Sequence, residues 1–191
     1  MVRRPGPVPS MLALYHIPAQ AHPDAIPLQV AASILGSGRS SRLYKALVHR
    51  GLATHANANA DARKDPGLFS LSATLRRGVE TAEVEEIALR EAESLGEGEI
   101  SDAELAKVRR QVRSWFLMNA EGASRQARLL GQFEVEHTWR AYFTYLDDLA
   151  AVTPTEVARV ARTYLHPNNR TVGWFLPTQQ RGRPTRRRRR S

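Results

Sequence analysis

Histidines and carboxylates at helical spacing are the first place to look for chemistry, because two imidazoles one turn apart on a helix face can hold one metal ion. The chain has six histidines, His16, His22, His49, His55, His137 and His166, and no pair has the spacing of H-x-x-E-H or H-x-x-x-H. His49 and His55 fall either side of a junction between a helical and an extended pattern, and each histidine reads as an ordinary surface residue. Glu134 and His137 make one E-x-x-H on a helical stretch, half of the doubled arrangement of di-iron bundles, and a single copy reads as a solvated helix face. The chain has neither a G-x-S-x-G elbow nor a G-x-x-x-x-G-K-[ST] loop. Gly36-Ser37-Gly38-Arg39 has the glycines of a phosphate cradle but lacks the lysine and the preceding strand, so it reads as a tight turn between helices. Glu85, Glu86, Glu91 and Glu93 lie along helix faces around Arg90 and read as solvent charges. Without cysteine, disulfides, thiolate zinc sites and cysteine nucleophiles are excluded, while the compartment stays open. The expectation is therefore no catalytic, cofactor-binding or metal-ligating residue in this chain, with substrate contacts unassigned.

Two further groups of residues suggest partners. Trp115, Phe116, Trp139, Tyr142, Phe143 and Tyr145 recur at helical spacing, which suits either core packing or an interface. The formal charge of +9 suggests nucleic acid until it is located. Arg181, Arg183 and Arg186 to Arg190 supply seven of the 28 basic residues, leaving 21 against 19 acidic ones in residues 1–180. The body is nearly neutral, so no basic face for specific nucleic-acid recognition is expected. The Arg-rich end has no apolar residue to bury; residues 178–191 are expected to be a disordered tail, able to bind polyanions in a salt-dependent way.

The elements that would position these residues follow from periodicity. At 191 residues and 42% hydrophobic, the chain is sized for one domain with a substantial core. No run approaches the ~20 apolar residues of a membrane-spanning helix, and the first residues lack the apolar run of a signal peptide. Met11 to Ile17 reads as a buried strand. A helix over Ala25 to Leu35 stops at Gly36, and a short helix follows, capped by Ser40 or Ser41 and facing inward with Leu43 and Leu47. Alternation from Leu52 to Ala60 and from Phe69 to Leu75 flanks Asp65-Pro66-Gly67, the pattern of a long hairpin in a sheet covered on one face. Thr81 to Leu165 reads as helices: one with its stripe at Val84, Ile87 and Ala88, one opened by a capping box at Ser101 and Glu104 that buries Leu105, Val108, Val112 and Trp115, one facing inward with Ala127, Leu130 and Phe133, one beginning at Thr138, and one capped by Thr153 and Glu156. Arg170 to Leu176 returns as a last strand. The fold class is α+β, a largely antiparallel sheet with helices on one face; residues 1–9 are a leading linker and 10–177 the domain.

The ordered set MLALYHIP, ILGSGRSSRLYKALV, GLA at Gly51 to Ala53, DPGLFSLSATL, ISDAELAKVRRQV and YLHPNNRTVGWFLP resembles the C-terminal domain of pitrilysin/insulinase-family zinc metallopeptidases, a group that includes mitochondrial processing peptidase. The resemblance spans roughly Ser10 to Pro177. It implies a half-enzyme. In that family an N-terminal module of the same fold carries the H-x-x-E-H helix, with a glutamate that activates a zinc-bound water. The C-terminal module holds no zinc and helps enclose the chamber in which peptides are cut. The implied partners are an H-x-x-E-H domain or subunit, bearing the zinc, and a peptide substrate. Some members carry an Arg followed seven residues later by a Tyr near the substrate; here Arg50 is followed by Asn57, which argues against a direct assist. Arg42 reads as a structural tie between the short helix and its neighbours. A catalytically silent assembly subunit, like the core proteins of respiratory complexes, is the alternative. The start at Met1 suggests a truncated or isolated piece, with a periplasmic location open if a parent protein carries a signal peptide.

Overall fold

The computed structural model describes residues 1–98 and 100–178. Strands β1 (Val2–Pro5), β2 (Ser10–Ile17), β3 (Ala53–Asp61), β4 (Gly67–Leu75) and β5 (Arg170–Thr178) form one sheet in the order β1-β5-β2-β4-β3. Only β1 runs parallel to its neighbour, β5, among these pairings. The helices are α1 (Ala25–Gly36), α2 (Thr81–Glu93), α3 (Asp102–Asn119), α4 (Ala123–Glu136), α5 (Ala141–Ala151) and α6 (Pro154–Tyr164).

Side-chain alternation makes the sheet one-sided. Met11, Ala13, Tyr15 and Ile17 of β2, and Phe69, Leu71, Ala73 and Leu75 of β4, are buried, whereas Leu12, His16 and Leu68 are exposed. Helices α1, α2 and α6 complete the core with Leu28, Ala31, Leu35, Val84, Ala88, Val157 and Val160. Both expected capping boxes form: the Ser101 and Thr153 hydroxyls accept the N–H of Glu104 and Glu156. Gly36 closes α1 against β3 so tightly that a Cβ there would lie 2.2 Å from the Ala58 nitrogen. At Gly122, a φ of 84° turns the chain from α3 into α4.

Several details depart from the periodicity. Residues 2–5, expected within a leading linker, add an edge strand, because β5 has a free side that their backbone can pair with. That pairing carries β5 through Thr178; residues 179–191, most of the expected tail, lie outside the described residues. The short helix widens into a π-type turn over Tyr44–Val48, with the His49 N–H donating to the Tyr44 carbonyl at 2.8 Å. Ser41 caps nothing; its hydroxyl is buried without a hydrogen-bond partner. In α3 the inward position after Val112 belongs to Phe116, leaving Trp115 54% exposed. Helix α4 buries Leu129 rather than Leu130 and Phe133, since its main neighbours are α3 and α5 and not the sheet.

Candidate functional site

Helices α3, α4 and α5 form an arm held by aromatic contacts. Phe116 packs against Tyr142 and Tyr145 with ring centroids 5.0 and 5.5 Å apart, and Phe133 meets the same two rings edge-on at 5.8 and 5.7 Å. The aromatic repeat is thus part core and part surface: Trp139 and Phe143, paired edge-on at 5.8 Å, stay exposed.

A groove of about 500 Å³ separates this arm from the outer edge of β3. Ala58, Asn59 and Ala60 supply the strand edge, and Val112, Trp115 and Phe116 supply apolar surface. Gln20, Gln29, Asn59, Gln111 and Gln132 also line it. Two of these amides are fixed: the Tyr145 hydroxyl donates to Gln29 Oε1 at 3.0 Å, and Gln29 Nε2 donates to Gln20 Oε1 at 3.1 Å. Burial pushes the Tyr145 hydroxyl up to about 12, so it remains a donor at neutral pH. Gln132 Nε2 donates to Glu136 Oε1 at 3.1 Å.

A second cleft, of about 510 Å³, lies between the segment 20–27 and the α4 to α6 helices and carries mixed charge from Glu136, Arg140, Asp148 and Glu156. His22 and His137 line it, but His22 Nδ1 already accepts the Asp24 N–H at 3.1 Å. Among the described residues no group of three His, Asp or Glu side chains is placed to hold a metal ion. The remaining histidines are dispersed: His16 on β2, His49 after the helical turn, His55 on β3 and His166 after α6. Glu134 accepts the Trp139 N–H at 2.9 Å, which ties the turn between α4 and α5, and does not face a second E-x-x-H. Gly36 to Arg39 joins α1 to the helical turn, where the Lys107 ammonium donates to the Ser37 carbonyl at 2.9 Å.

Arg42 forks onto Glu104 through Nε at 2.8 Å and a terminal nitrogen at 3.1 Å, linking the helical turn to α3. That hydrogen bonding holds the Glu104 carboxyl down at about 2, against the opposing effect of burial. Arg50 is exposed before β3, and Asn57 is half-buried on it.

Three carboxylates escaped the local reading. Asp24 at the start of α1 is buried and accepts Arg159 at 2.5 Å and the Tyr164 hydroxyl at 2.9 Å, both from α6. The Arg159 hydrogen bond is the largest influence lowering its pKa. Glu85 and Glu93 were expected to be solvent charges, but they reach β5: Glu85 accepts the Trp174 indole N–H at 2.5 Å, and Glu93 pairs with Arg170 and accepts the Tyr15 hydroxyl at 3.3 Å. Their partners are far away in sequence, so no short-range spacing announces them. Glu86 does remain an exposed pair with Arg90.

With this geometry in hand, comparison with known proteins supplies the family. Residues 2–112 match the sequence model described as the Peptidase M16 inactive domain. The zinc protease PqqE of Helicobacter pylori is 27% identical over 164 residues, which cover 85% of this chain and 37% of that protein. The chain thus spans little more than a third of that relative's length. A crystal structure described as the inactive peptidase domain of a candidate zinc protease from Bordetella parapertussis superposes with a TM-score of 0.84 at 29% identity, covering 96% of this chain and 98% of that one. A candidate zinc protease structure from Bordetella pertussis gives 0.80 at 31% identity, covering 90% and 95%. The sheet order, the one-sided helical layer and the sequence match together make this chain a member of the Peptidase M16 inactive domain family.

Proposed function

We propose that this chain acts as the non-catalytic half of a zinc metallopeptidase, packing against a separate H-x-x-E-H module and forming part of the wall of its peptide chamber. The observation that carries the reading is the exposed apolar surface of the α3 to α5 arm in a member of an inactive-domain family. Leu117, Met118, Val135 and Phe143 are 51%, 66%, 69% and 64% exposed. Aromatic and Met side chains are enriched where proteins meet, so large apolar side chains left in water on all three helices of the arm are surface available to a partner. On this reading bond breaking belongs to the partner, and this chain's contribution is confinement and orientation of the peptide. The relative spans a longer chain than this one and is named as a zinc protease, which supports a catalytic module beside the inactive one.

The test is reconstitution. The purified chain and an H-x-x-E-H module from the same genome are expected to form a stable complex by sedimentation, and a fluorogenic peptide is expected to be cut faster by the mixture than by the catalytic module alone. Absence of a complex, with an unchanged rate, contradicts the reading.

A further inference from the structure

The near balance of charge over residues 1–180 hides an uneven distribution, because the sheet register brings five exposed arginines to one end of the molecule. Arg3 and Arg4 of β1 pair with Leu176 and Pro177, just past the level at which Phe175 faces Ser10 and β2 begins. Arg76 and Arg77 follow Leu75, whose N–H donates to the Pro9 carbonyl, so they stand at the same level on the other side of β2. The Arg76 N–H in turn donates to the Leu52 carbonyl, which puts Arg50, two residues earlier, at this end too. Strands β1 and β3 are four spacings apart in the sheet, so the arginines spread over about 19 Å.

Arg42, Arg159 and Arg170 are matched by Glu104, Asp24 and Glu93, whereas none of these five side chains has a hydrogen bond or ion pair among the described residues. Glu80 and Glu83, the exposed carboxylates that follow Arg77, are outnumbered. Like charges spaced over about two Debye lengths sum to a positive potential that draws in an anionic surface before contact. Thr178 pairs with Pro5 at the same end, and the sequence continues from it with Arg181, Arg183 and Arg186 to Arg190, which tethers seven more cations there.

We infer that this end of the sheet docks on a bilayer bearing anionic phospholipid headgroups, with Arg3, Arg4, Arg50, Arg76 and Arg77 facing the phosphates and the tail arginines adding to the attraction. The five lie on a strand and two turns, not on a helix that could enter a DNA groove. The aromatic rings left in water, Trp115, Trp139 and Phe143, belong to the arm, so no base-stacking platform stands among the arginines. A plane of headgroups needs neither feature, only a broad row of cations. Val2, 52% exposed beside Arg3, adds an apolar side chain for the interface. The inference goes beyond peptide confinement and stands whether or not the chain assembles with an H-x-x-E-H module.

The probe is a pair of vesicle preparations, phosphatidylcholine alone and phosphatidylcholine mixed with phosphatidylglycerol, sedimented with the full chain. Binding is expected to the mixed vesicles only, and to weaken as salt rises from about 50 to about 200 mM. Arg3→Ser, Arg4→Ser, Arg76→Ser and Arg77→Ser together are expected to weaken binding about tenfold or more, and Arg76→Ser with Arg77→Ser alone about threefold should the larger variant fail to fold. The same charge removed from α3 and α4, by Arg110→Ser, Arg113→Ser, Arg125→Ser and Arg128→Ser, is expected to weaken binding less than about twofold. Equal loss from the two fourfold variants overturns the inference, because binding then follows net charge and not place. Equal binding to both vesicle preparations overturns it as well. So does loss of all binding when only the seven tail arginines are changed to serine while the sheet-end variant binds in full, which assigns the contact to the tail. Duplex DNA that strips the chain from the vesicles at equal phosphate concentration assigns this end to nucleic acid instead.

Discussion

Glu104 serves two elements at once. Its carboxylate accepts the Ser101 N–H at 3.1 Å in the capping box of α3 and receives the Arg42 fork from the helical turn. The side chain is 29% exposed, so water screens the pair and its contribution is modest. Glu104→Gln is expected to lower stability by about 1 kcal/mol at pH 7 in urea unfolding. The pH dependence has a definite sign. The folded carboxyl titrates at about 2, below the value of about 4.3 in an unfolded chain. Its stabilisation is therefore complete above the unfolded value and is lost as pH falls from about 5 toward 2. The difference between wild type and Glu104→Gln should accordingly narrow across that interval; a constant difference at pH 7 and pH 3 shows that the charge is not the source. At this scale the capping half of Glu104 was legible, because Ser101 stands three residues away. Asp24 was not, since Arg159 and Tyr164 reach it from the far end of the chain.

At the scale of elements, period-two and helical patterns named each strand from β2 to β5 and placed the helices, because burial on one face imposes those repeats. The patterns failed where packing is not one-sided. β1 has an exposed side chain at every position and hence no alternation to read, and the arm helices bury so little that their inward residue shifted by one, as with Phe116 for Trp115 and Leu129 for Leu130. The groove was unreadable for a related reason: it is assembled from β3, α1 and the arm, which no sequence window contains. Two glycines test this picture in opposite directions. Gly36→Ala forces a Cβ against the Ala58 backbone and is expected to cost about 3 kcal/mol, measured by denaturant unfolding. Gly131→Ala, inside α4 with nothing within 4 Å, is expected to stabilise by about 0.5–1 kcal/mol by the same measurement. Equal effects of the two contradict the packing of α1 on β3.

For the molecule as a whole, an arm with exposed apolar side chains makes sense in a chain that works against another module. Met118→Ser combined with Phe143→Ser removes apolar surface at positions already in solvent. The pair is expected to leave unfolding within about 0.5 kcal/mol of wild type while weakening assembly with the H-x-x-E-H module at least tenfold, read by sedimentation. Normal assembly of that variant moves the interface off the arm. The resemblance of the ordered motifs already pointed to a half-enzyme, while the surface that would complete it became visible only when the three arm helices were placed together. The most direct test of the central claim is the zinc content of the purified chain, determined together with its cleavage of a fluorogenic peptide when no other protein is present. The account predicts neither stoichiometric zinc nor cleavage above the protein-free rate; stoichiometric zinc with hydrolysis that a chelator abolishes contradicts it.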